Sequence, residues 1–157
     1  MRLAKYSLAV LIFGFAPLAR AQDLGTAHEF VAGLYAAYHG KGPDYLGHDA
    51  KAAFSPQLLR LIRRAAATTP ADEVGALDGD PICDCQDSSG IRMANLKLTR
   101  GPQGRATATV RLRFPDEFRT LRLDLIGVDG DWRVCDVHTK DTPSLVAYLT
   151  QSLRKPH

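Results

Sequence analysis

The chain lacks the short signatures from which catalysis can be read directly. It has no Gly-x-Ser-x-Gly elbow, no glycine-rich phosphate loop and no His-Glu-x-x-His pair. No internal repeat or low-complexity segment appears, which excludes solenoids and arrays. Cysteine is sparse, three in 157 residues, so a disulfide-dense mini-scaffold is excluded. Beyond the first 21 residues no run is long and apolar enough to span a bilayer, which takes about 20 residues. Those first 21 residues contain no acid.

That acid-free segment has the layout of a secretory leader. Arg2 and Lys5 form a basic start, Tyr6 to Ala16 is almost wholly apolar, and Ala19-Arg20-Ala21 places small side chains where a signal peptidase reads them. Cleavage after Ala21 is expected, leaving 22–157 as one domain in the periplasm or outside the cell. No cysteine stands at the cleavage point to carry a lipid. The formal charge of +3, from 20 Lys and Arg against 17 Asp and Glu, owes everything to Arg2, Lys5 and Arg20. Without them the charges balance, and nothing indicates a nucleic-acid partner.

The whole chain is 45% hydrophobic and 24% charged, the composition of a globular domain. Between Asp23 and His39, Phe30, Val31, Leu34, Tyr35 and Tyr38 share one helical face, up to the Gly40-Lys41-Gly42-Pro43 breaker. Ser55-Pro56 predicts a second helix, capped by Ser55 and running to about Ala66 before Thr68-Thr69-Pro70. Its Arg60, Arg63 and Arg64 form a solvated stripe. Residues 71–90 have no period and read as loop, with a short strand near Ile82.

After Gly90 the period becomes two. Ile91 to Thr99 predicts a strand with a bulge where Met93 and Leu96 break parity, and Ala106 to Phe114 a second with Thr107, Thr109, Arg111 and Arg113 outward. Leu121, Leu123 and Leu125 mark a third, and Asp129-Gly130 a tight hairpin into a fourth beginning near Trp132. Thr142-Pro143 predicts the start of a last helix with Leu145, Val146, Leu149 and Leu153 on its face. Helices segregated from a run of about four antiparallel strands give an α+β class, the N-terminal helices packed on a curved sheet.

With this layout, Asp80-Pro81-Ile82 followed by Cys85-Gln86-Asp87, and the ending Gly130-Asp131-Trp132-Arg133-Val134, the chain resembles a family of small bacterial periplasmic proteins known by a domain of unknown function. That family is similar in turn to the cone-shaped nuclear transport factor two-like fold. The resemblance implies a fold and supplies no catalytic residues.

Candidate chemistry therefore comes from the residues. Strand parity puts Trp132, Val134, Asp136 and His138 on one face, so Asp136 and His138 would reach the mouth of a cone cavity as an acid–base pair, with Tyr35 and Tyr38 lining it. In an oxidising space Cys135 is expected to bridge to Cys85 or Cys83. The same three cysteines with His138 have zinc-ligand types, but parity sets residues 135 and 138 on opposite sides. Asp78, Asp80, Asp84 and Asp87 lack the ligand spacing of a calcium loop. No metal or cofactor is expected. The reading is a binding module for a protein partner or small ligand, using Asp80, Asp84, Gln86, Asp87 and Trp132. Its rivals are a small-molecule enzyme built on the acid–base pair and a periplasmic immunity or inhibitor protein.

Overall fold

A computed structural model describes residues 23–69 and 75–154. The expected leader, Pro70 and residues 71–74 lie outside the described residues. Helix α1 (Leu24–Ala36) buries Ala27, Val31, Leu34 and Tyr35, a 4-3-1 spacing that makes one stripe. It stops three residues short of the expected His39, in turns where Gly40 and Gly42 adopt positive φ. A four-residue helix, α2 (Ala50–Ala53), follows. Helix α3 (Pro56–Thr68) begins as the sequence predicts: the Ser55 hydroxyl accepts from Leu58 N and Pro56 fills the first helical position. Leu58, Leu59, Ile62 and Ala65 face inward, which leaves Arg60, Arg63 and Arg64 to solvent.

The four strands β1 (Arg92–Arg100), β2 (Arg105–Arg113), β3 (Phe118–Val128) and β4 (Asp131–His138) form an antiparallel meander in sequence order. The class is α+β: helices, an open four-stranded sheet, then the short helix α4 (Leu145–Ser152). The β1 bulge lies between Met93 and Asn95, where parity breaks. The β3–β4 turn uses Asp129 at φ 53° and Gly130 at φ 92°, the two positive values a tight hairpin wants. Ala106, Ala108, Val110 and Leu112 of β2, with Leu121, Leu123 and Leu125 of β3, fill one face of the sheet. The opposite face is basic, and there Arg111 lies 4.2 Å over the exposed Phe118 ring. Phe54 bridges to Val134 in parallel, and Ser55 N donates to Val134 O at 2.8 Å, so the segment entering α3 covers part of the free edge of β4.

Three expectations need correction. First, β4 carries a second bulge. Asp124 opposes Asp136 and Leu125 opposes Val134, leaving Cys135 as the extra residue. Beyond it the faces exchange, so Trp132, Val134 and Val137 are buried while Asp136 and His138 turn outward beside Asp124. Second, the last helix is capped by Ser144, whose hydroxyl accepts from Ala147 N, and not by Thr142. Third, the segment around Ile82 is a tight turn rather than a strand, closed by an antiparallel bridge between Asp80 and Cys85.

Candidate functional site

The turn from Gly79 to Gln86 is held from beneath. Tyr35, on the buried stripe of α1, donates its hydroxyl to Ile82 O at 2.8 Å, and one helical turn later Tyr38 donates to Asp80 Oδ2 at 2.6 Å. Asp80 Oδ1 accepts from Ile82 N at 2.8 Å, so a single carboxyl joins α1 to the turn. Tyr45 donates to Leu34 O and packs edge-on against Tyr38, extending the aromatic layer. Burial pushes all three phenols far up, with the Asp80 charge adding to it, so they stay protonated donors. Tyr35 and Tyr38 thus serve the turn, and their hydroxyls do not meet Asp136 or His138.

The cysteines correct the expected bridge. Cys83 pairs with Cys85, and Cys135 is free. Cys83 belongs to the core cluster, whereas the Cys135 thiol sits at the β4 bulge, donates to Asp124 O and lines a separate outer cavity with Arg60 and Arg105. Burial pushes that thiol up, which keeps it protonated and a poor nucleophile. Among the described residues no group of three or more His, Cys, Asp and Glu could hold a metal ion.

Above the turn lies an open cleft of about 490 Å³ between the 76–86 segment, the start of β3, the end of β4 and α4. Leu77, Pro81, Val137 and Leu145 give it apolar walls, while Asp78, Asp80, Asp84 and Arg119 give it charge. Burial raises the carboxyl pKa of Asp84, against the opposing pull of Arg119, with Asp141 and Asp78 adding to the rise. Burial likewise raises that of Asp80, more than its hydrogen bonds from Tyr38 and Ile82 lower it. Arg119 does not neutralise the cleft outright: its guanidinium binds Glu117 and the Asp84 carbonyl and stacks 4.5 Å from the Phe114 ring. Gln86 donates to Asp78, and Asp87 accepts from Ser89 N outside the cleft, its pKa lowered by that residue. Asp80, Asp84 and Gln86 therefore line the cleft, and Asp87 holds the turn at Ser89 outside it. A Cβ at Gly79 would meet Cys85 O at 2.7 Å, so the close return of this turn requires glycine.

The raised Asp80 pKa has a measurable consequence. Its contribution to stability is fully present below the ordinary carboxylate range, where folded and unfolded chains both hold the neutral acid. It is lost as pH rises through the higher folded value. Asp80→Asn mimics the neutral acid, so the stability of the native protein relative to this variant should decline from acid to neutral pH. Urea denaturation of both proteins across that range checks it, and a constant difference would contradict the assignment.

Asp136 and His138 form their own cluster. His138 Nε2 lies 2.8 Å from Asp124 Oδ2 and 3.8 Å from Asp136 Oδ2, and Nδ1 faces Pro143 O. Both ring nitrogens face fixed protein acceptors, so neither is turned toward a cavity where a substrate could meet it. Asp136 accepts from Val137 N at 2.8 Å, Val146 N at 3.0 Å and the Ser144 hydroxyl at 2.6 Å, which anchors α4 to the end of β4. Trp132 is 3% exposed and donates Nε1–H to Thr26 Oγ1 at 2.9 Å, a core residue with one edge on a groove beside α1.

Sequence reasoning missed Arg119, Thr139, Thr142 and Tyr148 of the cleft lining. They come from β3, the loop after β4 and α4, and no local pattern joins those three places. No family model matches the chain, and no solved structure matches it. It is similar to the "Uncharacterized protein YqhG" of Escherichia coli (strain K12), 28% identical over 117 residues, which cover 71% of this chain and 38% of that protein. The chain thus spans well under half the length of the curated relative it matches.

Proposed function

We propose that this chain is an exported binding module without catalytic activity, and that its ligand, a small molecule or a segment of a protein, brings a positive charge into the cleft between the 76–86 turn and α4. The observation that carries this is the state of the cleft's charges. Asp80 is held where burial disfavours its ionised form, Asp84 stands at the exposed mouth of the cleft with its carboxyl pKa raised, and Arg119 is already engaged by Glu117 and a backbone carbonyl. An incoming ammonium or guanidinium would offset that desolvation, while the apolar walls accept its stem. Export rests on the basic, apolar and small-residue layout of the first 21 residues, and the layout's likeness to periplasmic domains of unknown function agrees with it. The acid–base alternative is less well supported, because His138 turns both nitrogens to fixed partners on the other face of the sheet.

The chain expressed with its own leader in a bacterium should be recovered from the periplasm with an intact mass beginning at Gln22. Calorimetric titration of that protein with polyamines and arginine-containing dipeptides should show saturable binding. Losing one charge-assisted contact costs about 1.5–3 kcal/mol, so Asp84→Asn should weaken binding roughly tenfold or more, while Asp87→Asn should not. Equal affinity in Asp84→Asn, or no saturable binding of any cation, would refute the reading.

A further inference from the structure

We propose that the Cys83–Cys85 disulfide is a thiol–disulfide exchange centre that acts on thiol-bearing molecules entering the cleft. The two sulfurs are placed unequally. Cys85 is half-buried and lines the cleft, whereas Cys83 is fully buried in the core cluster. Access therefore directs an incoming thiolate to Cys85 and makes Cys83 the leaving sulfur.

Three features favour opening. The ring spans a single intervening residue, so it closes almost no loop and gains little of the chain-entropy stabilisation that protects long-range bridges. That intervening residue, Asp84, sits at φ 54°, a left-handed conformation that costs a residue with a Cβ free energy in the closed ring. The reduced state also has acceptors ready. Cys83 Sγ lies 3.5 Å from Asp80 O and 3.7 Å from Cys85 O, partners for the thiol proton that reduction creates. Beneath, the hydroxyls of Tyr35 and Tyr38 hold the Ile82 carbonyl and the Asp80 carboxyl through bonds that involve neither sulfur. The free Cys135 cannot act as an internal resolving thiol, because it lines a different cavity at the β4 bulge.

The step balances. A substrate thiol loses its proton and attacks Cys85 Sγ. The new sulfur–sulfur bond forms as the Cys83–Cys85 bond breaks, its electron pair leaves on Cys83 Sγ, and that sulfur takes up a proton. A second thiol of the substrate then displaces Cys85 in the same way. The substrate leaves as a disulfide, oxidised by two electrons, and the protein holds two thiols. Return to the starting state needs an oxidant of the disulfide class, such as a small-molecule disulfide or a disulfide-donating protein.

The test uses the leaderless protein, oxidised and folded, with 2-mercaptoethanol as probe. This neutral thiol keeps the result independent of the cation reading above. Samples are quenched with N-ethylmaleimide over time and the adducts mapped by mass spectrometry. The expected result is a mixed disulfide on Cys85 with maleimide on Cys83, in at least tenfold excess over the reverse arrangement, the preference vanishing in urea. Equal partition in the folded protein, or no reaction until the fold is lost, would overturn the proposal. Cys83→Ser supplies a second measure. Once reduced and freed of the ring, its Cys85 thiol should exchange with 2-mercaptoethanol disulfide at least tenfold faster than Cys135 in the same molecule, and comparable rates would count against the centre. Comparing cysteamine with 3-mercaptopropionate tests the charge of the cleft by itself, since a lost preference there leaves the Cys85 result standing.

Discussion

Trp132→Ala is expected to lower the free energy of unfolding by about 3–5 kcal/mol, the range for truncating a large buried aromatic. The ring is 3% exposed, and its Nε1–H is bound to Thr26 Oγ1 across the contact between β4 and α1. Truncation opens a cavity and removes the donor to Thr26 Oγ1, whose own hydroxyl keeps its bond to Asp23 O. Trp132→Phe keeps most of the volume and loses the hydrogen bond, so about 1–2 kcal/mol is expected. Urea denaturation followed by circular dichroism separates these from the result a surface binding residue would give, near-native stability for both variants. Trp132 is the chain's single tryptophan, so a probe other than its fluorescence is needed.

The second large effect is at Asp136. Asp136→Ala removes the acceptor for two backbone N–H groups and the Ser144 hydroxyl, all at the joint between β4 and α4, and a charge facing His138. About 3 kcal/mol of stability should be lost, because polar groups in a part-buried place are left unpaired. Asp136→Asn retains one carbonyl oxygen for Val137 N and Val146 N and should recover more than half. Amide hydrogen exchange at Val146 and Ala147 gives the local readout. In Asp136→Ala these amides should exchange faster than those of β2, whereas a residue kept only for proton transfer would leave them protected.

Much of this architecture is legible in the sequence because it rests on short-range stereochemistry. Ser55-Pro56 caps α3 by a hydroxyl and a fixed φ, Asp129-Gly130 supplies two positive φ values, and Ala106 to Phe114 alternate without a fault. The misreadings arise where chain geometry departs from a uniform period. Counting by twos through β4 carries Asp136 and His138 onto the Trp132 face, yet the apolar residues Val134 and Val137 stand three apart, the one local sign that a residue had been inserted between them. The cysteine pairing depends on which face each sulfur occupies, and export alone does not select a partner. The cleft is least legible: Asp80, Asp84 and Gln86 lie within one short stretch of the chain, but Arg119 and Tyr148 reach them only through the folded sheet and α4.

The extra residue in β4 also sets what kinds of genetic change can alter this strand. Substitution at Cys135 leaves the phase of the strand intact, so scanning every side chain there would report on packing alone. Loss of that one codon would remove the bulge and keep the pairing on either side of it, with Val134 still opposite Leu125 and Asp136 still opposite Asp124. Val137 would stay in the core opposite Leu123, and Asp136 and His138 would stay on the outer face beside Asp124. The bulge thus lets β4 carry one residue more than β3 opposes without changing which groups face each side of the sheet, and related chains could lose that residue and keep both faces.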